Sequence, residues 1–187
     1  MTLRDAGYDI VLIDRHHHHL YTPALYEIAA IPAEYMADKS LVSSILIPLR
    51  DIVRGKDIRL ITDDLIGRDE RAHTITLRKG GTLRYAYLVL ALGSTTNYFN
   101  IPGLQAHSIP LKTCDDALLL RNAIESIFKK KSSLAIIVGG GGASGVEVIA
   151  ELVNFVCLIK EKIVPNRGVC DVSFTLASGP HPIAAKG

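Results

Sequence analysis

The residues of this 187-residue chain most plainly suited to chemistry are glycines. Positions 139–142 are all glycine and Gly145 follows, so a G-x-G-x-x-G pattern fits in one frame only: Gly140, Gly142 and Gly145. A frame opened at Gly139 would end on Ser144. In such a loop the first glycine makes a tight turn, the second lets the main chain approach a pyrophosphate, and the third permits close packing of helix on strand. The chemistry is therefore capture of a dinucleotide's phosphates by main-chain N–H groups and the positive end of a helix. A second candidate is Asp14, which ends the apolar run YDIVLI. A carboxylate at the end of the second strand of a βαβ unit hydrogen-bonds an adenosine ribose.

Two other groupings point to less. His16 to His19 are four consecutive histidines, but side chains along extended backbone alternate in direction, so four adjacent ligands do not converge on one metal and no metal site is expected. Cys114, Cys157 and Cys170 are odd in number and form no C-x-x-C, which speaks against a disulfide framework and a dithiol pair; buried free thiols are expected.

The elements that must position these residues follow from periodicity. The glycine loop is preceded by the uncharged run Leu134–Val138, expected as a buried parallel strand. It is followed from Ala143 by Val146, Ile149, Ala150 and Val153 at helical spacing, a helix continuing to about Lys162. Pro165, Asn166 and Gly168 break the chain, and Val172–Leu176 is a further strand. At its end, where a ribose-binding acid is expected, stand Ala177 and Ser178.

Nearer the start, Met1–Gly7 resembles the last turn of a helix closed by Gly7, and Tyr8–Ile13 is expected as a buried strand. A short helix is expected over Tyr21–Ala30 and irregular chain over Ile31–Asp38. A helix is expected over Ser44–Arg54, with Pro48 tolerable only near its start. Ile58–Thr62 is a strand, and Asp63-Asp64 a polar break. A hairpin follows: His73–Leu77 alternates, Gly80-Gly81 turns, and Leu83–Leu92 returns, its part Tyr87–Leu92 apolar on both faces and so expected inside a covered sheet. It ends in the turn Gly93-Ser94. Asn100–Pro110 is the best linker. Asp115–Phe128 is an amphipathic helix with Leu118, Leu119, Ile124, Ile127 and Phe128 on its apolar side, acids at its start and Lys129–Lys131 at its end.

Composition sets bounds on the class. The chain is 48% hydrophobic with a net charge of +2, too small to argue for nucleic acid or for strong membrane steering. No apolar run reaches the ~20 residues of a membrane span. With no signal-like start, a cytoplasmic location is expected, possible attachment to the cytoplasmic face of a membrane included.

Several segments, in order, resemble one family, the flavin-dependent pyridine-nucleotide oxidoreductases, and most closely the type II, single-subunit NADH:quinone dehydrogenase group. VLIDRHHHHLYTPALYEIA is similar to the segment after that group's second strand, SILIPLRDI to its next helix, and NYFNIPGLQAHSIPLKTCDDALLLRN to its crossover. VGGGGASGVEVIAEL is similar to its NAD loop and helix. Thr82 to Gly93 fits the second FAD signature, a threonine, four spacers, four largely apolar residues and Ala-Thr-Gly, except that Leu92 replaces the threonine.

The resemblance implies an α/β flavoprotein of the FAD/NAD(P)-binding Rossmann-like type with two dinucleotide-binding domains, residues 1–110 being part of the FAD domain and 111–187 part of the NAD(P) domain. It implies FAD and NAD(P)H as cofactors. Asp14 would meet the FAD ribose, Arg15 the adenine side, and the Leu65 main chain would lie near the adenine. Ala91 and Gly93 belong to the second FAD signature, and Glu147 would sit close to the nicotinamide. No catalytic residue is assigned. Relative to the family pattern the first FAD glycine loop and the C-terminal region are absent, so an incomplete fold with weak or no FAD binding is expected. Ala177 leaves NADH against NADPH open, and the missing cysteine pair argues against disulfide reduction and sulfide oxidation.

The implied reaction is hydride transfer from NADH to FAD and on to a quinone. Two alternatives stay open: a non-catalytic nucleotide-binding fragment or one part of a split enzyme, and another FAD/NAD(P)-dependent reductase such as a ferredoxin-type reductase.

Overall fold

The computed structural model of the chain describes residues 7–32, 43–130, 133–163, 171–178 and 181–186. In chain order the first elements are β1 (Ile10–Asp14), β2 (His18–Leu20), a 3-10 turn (Thr22–Ala24), α1 (Leu25–Ala29), β3 (Leu46–Pro48) and α2 (Leu49–Ile52). Then come β4 (Ile58–Thr62), β5 (Leu65–Asp69), β6 (Thr74–Leu77), β7 (Gly81–Arg84) and α3 (Leu104–His107). The last are α4 (Cys114–Lys130), β8 (Ser133–Gly139), α5 (Ala143–Ile163), β9 (Asp171–Ser178) and β10 (His181–Lys186). The chain gathers into two compact units, one of Met1–Leu20 with Leu46–Ser94, the other of Tyr21–Ile45 with Thr95–Gly187.

In the first unit β1 and β4 pair in parallel from Ile10↔Ile58 to Asp14↔Thr62, β2 pairs antiparallel with β3, and β5-β6-β7 form an antiparallel meander. The meander contains the expected hairpin. The helix expected over Ser44–Arg54 is corrected: Leu46–Pro48 is extended and pairs with His18–Leu20, and the helix proper is the single turn Leu49–Ile52. Pro48 has no N–H to give a helix and fixes its own φ, so it serves as the N-cap of that turn.

The expectation that Leu83–Leu92 returns as one strand, buried on both faces at Tyr87–Leu92, is also corrected. β7 ends at Arg84, and Tyr87, Val89 and Leu92 are 76%, 83% and 72% exposed. A strand exists through its cross-strand hydrogen bonds, and among the described residues no strand pairs with this run.

In the second unit the sheet order is β10-β9-β8, with β8 and β9 parallel and β10 returning antiparallel on β9. Ile124 and Phe128 of α4, Val148, Leu152, Phe155, Val156 and Ile159 of α5, and Phe174 of β9 form one buried cluster. Full burial of Phe128 and Phe155 contributes roughly 1.5–3 kcal/mol each. α1, with Leu25, Ile28 and Ala29 buried, packs against α4 and α5.

Helix α4 begins with a reciprocal cap: Asp116 N donates to Thr113 Oγ1 (3.1 Å) and Thr113 N donates to Asp116 Oδ2 (2.8 Å). Its buried stripe is Ala117, Arg121, Ile124 and Phe128, while Leu119, expected inside, is exposed. The phase of α5 shifts likewise. Val146, expected on the buried side, is exposed, and the stripe runs through Val148, Leu152, Phe155 and Ile159. That stripe turns Cys157 outward, so the expectation of buried thiols fails there; Cys114 is half-buried. Strand β8, expected to be buried, is half-buried on one face, and Ile137 on the other is exposed. The expected turn at Met1–Gly7 before Gly7, most of Ile31–Asp38, the break at Pro165–Gly168 and Cys170 lie outside the described residues. Among the described residues no helix is long and apolar enough to cross a membrane.

Candidate functional site

The glycine loop leaves the sheet at the carboxyl end of β8. Gly139 is in register with Ala177 of β9, and the next amide, Gly140 N, still donates to the Ala177 carbonyl at 2.9 Å. The chain then turns at Gly140 with φ +118°, a backbone conformation that L side chains rarely adopt. Helix α5 closes its first turn on Gly142, whose carbonyl accepts from Gly145 N (3.0 Å) and Val146 N (3.2 Å).

Each glycine of the frame has its own reason. A Cβ on Gly142 would point into open space, so the main chain there is bare and approachable. A Cβ on Gly145 would collide with the Gly140 carbonyl oxygen, 3.0 Å from the carbonyl carbon and 3.4 Å from Leu176 Cδ1. Gly140 turns, Gly142 exposes and Gly145 lets the helix close on its own loop. A 21-residue helix follows, so the positive end of its dipole lies at the exposed stretch 141–144.

Glu147 stands exposed one turn into α5. Tyr26 of α1, packed against the core cluster, shares its electrostatic surroundings. Burial, then the charges of Glu147, Glu27 and Glu151, push the Tyr26 phenol above its ordinary value. Ala177, at the place of the expected ribose acid, stands one residue before the end of the neighbouring strand β9.

In the first unit, Asp14 ends β1 beside Thr62 of β4, and Asp63 N donates to the Asp14 carbonyl at 2.9 Å. Asp14 Oδ1 accepts from His16 N at 2.8 Å. Arg15 is exposed, its Nε 3.8 Å from Asp64 Oδ1, and Arg78 Nε donates to Asp64 Oδ2 at 3.0 Å. Leu65 opens β5, paired with Leu77. Asp14, Arg15 and Leu65 are thus gathered at the carboxyl ends of β1 and β4, the side on which ligands of open α/β sheets bind. Ala91 and Gly93, the latter at φ +76°, lie in the exposed run beyond β7, and no described contact ties them to Asp14.

Sequence reasoning overlooked Asp63. It is 8% exposed, and its carboxylate accepts from Asp64 N (2.8 Å), Gly80 N (2.8 Å) and Lys79 N (3.0 Å). Burial alone would raise its pKa, but the Gly80, Lys79 and Asp64 amides outweigh it and hold the carboxyl below its usual range. This staple fixes the β6–β7 turn against the strand end from which Leu65 departs. The signal available was an acid pair ahead of a Gly-Gly turn, visible but not decodable without the pairing. Among the described residues no three His, Cys, Asp or Glu side chains group as metal ligands.

The model of the pyridine nucleotide-disulphide oxidoreductase family matches residues 1–169. The external alternative NAD(P)H-ubiquinone oxidoreductase B1 of Solanum tuberosum mitochondria is 28% identical over 199 residues, covering 94% of this chain and 33% of the relative. The type II NADH:quinone oxidoreductase NdhA of Mycobacterium tuberculosis is 28% identical over 165 residues, 81% of this chain and 34% of the relative. Among solved structures, NDH2 of Plasmodium falciparum in complex with NADH superposes with a TM-score of 0.70 at 24% identity, covering 90% of this chain and 37% of that one. The sulfide:quinone oxidoreductase of Aquifex aeolicus does so with a TM-score of 0.62 at 17% identity, covering 97% and 52%. The chain spans about a third of the length of the curated relatives it matches. These likenesses to solved structures carry the FAD/NAD(P)-binding Rossmann-like fold, and the family match over residues 1–169 carries the conclusion that the chain belongs to the pyridine nucleotide-disulphide oxidoreductase family.

Proposed function

We propose that this chain serves a flavin-dependent NADH:quinone oxidoreductase of the type II kind, with NAD(P)H and FAD as its cofactors and a quinone as the acceptor. Residues 1–110 form the FAD-facing portion and 111–187 the NAD(P)-facing portion, a division by ligand that differs from the two compact units. The observation that carries the reading is the glycine loop: a positive-φ turn at Gly140, bare main chain at Gly142 and a helix seated on the loop through Gly145. A nucleotide diphosphate fits this cradle because its charge meets N–H groups and a helix N-terminus while no side chain stands in the way.

The protein's own part is positioning. Gly140, Gly142 and Gly145 hold the NAD(P)H diphosphate, and Glu147, at the nicotinamide side of α5, orients that end. Asp14 accepts from the FAD ribose, Arg15 and the Leu65 main chain border the adenine, and Ala91 and Gly93 present main chain to the flavin nucleotide. Asp64 keeps Arg15 in reach of that site. When bound, the two cofactors supply the hydride and electron chemistry. Peripheral association with the cytoplasmic face of a membrane, where a quinone is met, belongs to the same reading. The relatives named NAD(P)H-ubiquinone and NADH:quinone oxidoreductases support the acceptor class.

The test is NADH binding by the purified chain, followed by the change in nicotinamide fluorescence, in the wild type and in Gly142→Val. Saturable binding that the substitution removes, with the fold intact by circular dichroism, is expected. Equal binding by both would refute the assignment of the loop.

A further inference from the structure

Neither cofactor portion employs the four-histidine run, and the structure sorts it into two sides. The His16 and His18 rings stand together, with centroids 5.5 Å apart and planes inclined by 33°. His17 points elsewhere, its Nδ1 sharing a hydrogen bond of 3.2 Å with Thr62 Oγ1 at the end of β4. His19 is the next residue of β2 after His18 and is exposed. Residues 15–17 form a bend ahead of β2, and within it His17 is engaged with Thr62 while His16 and His18 stand against each other.

The main chain under the pair is held at three successive points. His16 N donates to Asp14 Oδ1 at 2.8 Å, Leu49 N donates to the His17 carbonyl at 2.9 Å, and His18 is paired with Pro48 in the β2–β3 ladder. The two rings therefore do not need to be brought together by a ligand. Their spacing is also close to what one requires. With metal–nitrogen bonds of ~2.0–2.1 Å, two imidazole centroids around a single ion stand roughly 4.5 to 5.3 Å apart for bond angles between square and tetrahedral, so the rings close by ~0.2 Å on a tetrahedral ion and by ~1 Å on a square one.

We propose that His16 and His18 form a two-imidazole site for a borderline divalent transition-metal ion, with Cu2+ bound most tightly. Imidazole is a preferred ligand of copper, nickel and zinc, and the ordering of first-row divalent ions puts copper first. Because no third His, Cys, Asp or Glu side chain joins the pair among the described residues, the remaining coordination positions go to water or an outside ligand. The site is open and exchangeable, unlike a closed structural zinc centre. It requires neither FAD nor NADH and stands whether or not the cofactor reading holds.

The experiment is titration of the full chain with Cu2+, read by isothermal calorimetry and by the nitrogen hyperfine pattern in electron paramagnetic resonance. One ion per chain with two coordinated nitrogens is expected. His16→Ala and His18→Ala each weaken binding by at least ~10-fold, since even loss of an outer-shell partner costs about that much. The double variant His17→Ala/His19→Ala retains affinity and both nitrogen couplings. If that double variant, folded by circular dichroism, loses the signal, or if all four single alanine variants weaken binding equally, the run is an undifferentiated chelator and the assignment to His16 and His18 is overturned.

Discussion

The Gly140 carbonyl lies where a side chain on Gly145 would begin: a Cβ there would overlap the carbonyl oxygen and stand 3.0 Å from its carbon. The third glycine of the loop is thus required by the first. Gly145→Ala gains up to ~1 kcal/mol of helix propensity, but overpacking against main chain costs about 1–3 kcal/mol, and main chain cannot swing aside as a side chain can. Net loss of stability is expected, read as a lower urea midpoint, and an unchanged midpoint would show that helix α5 does not sit on this loop.

Gly142 gives the opposite pairing of effects. A methyl there meets nothing within 4 Å and the residue has no positive φ. Gly142→Ala is expected to keep stability within about 0.5 kcal/mol while weakening NADH binding, measured by fluorescence titration. A variant that loses stability but not affinity would place the phosphate elsewhere.

Asp63 makes the first unit sensitive to acid. Its carboxyl sits below the ordinary value, so its contribution is fully present above the unfolded pKa of ~3.9 and disappears as pH falls through the lower folded value. Asp63→Asn is therefore less stable than the wild type at pH 7, and the gap closes towards pH 3. Urea unfolding at several pH values measures it; parallel curves would remove Asp63 from the account.

Tyr26 has the reverse sign. Its phenol is raised by burial and then by Glu147, Glu27 and Glu151, so the stabilisation it gives holds below the unfolded value of ~10 and is lost as pH climbs through the higher folded one. Glu147→Gln should move the Tyr26 titration down, visible by NMR of ring-labelled tyrosine. No movement would mean that Glu147 points away from α1.

Arg121 is a buried guanidinium on the core side of α4. Its Nε and Nη2 both donate to Asn122 Oδ1, and Nη1 has no partner among the described residues. An unmet buried donor costs about 1–3 kcal/mol, so Arg121→Met is expected to raise the urea midpoint. A fall would reveal an engaged guanidinium.

How much was legible beforehand can be judged element by element. Strands such as Ile58–Thr62, the Gly80-Gly81 hairpin, and helices α4 and α5 follow from local spacing, caps and turn residues, and the structure has them. The helical stripes were misphased by Val146 and Leu119 because apolar residues lie on more than one face, and neighbours alone choose which is covered. β10 was not anticipated, since its existence depends on pairing with β9.

By itself the sequence determined the two long helices, the strand–loop–helix series about the glycine run and the single possible glycine frame, Gly140, Gly142 and Gly145, because turns, caps and helical spacing are properties of a few consecutive residues. Tertiary structure alone decided that Leu46–Pro48 is a strand, that Tyr87–Leu92 is exposed, and that Asp63 staples a turn formed 16 residues later. Each of those depends on a hydrogen-bond partner distant in the chain, or on the lack of one among the described residues. No pattern of neighbouring residues encodes that.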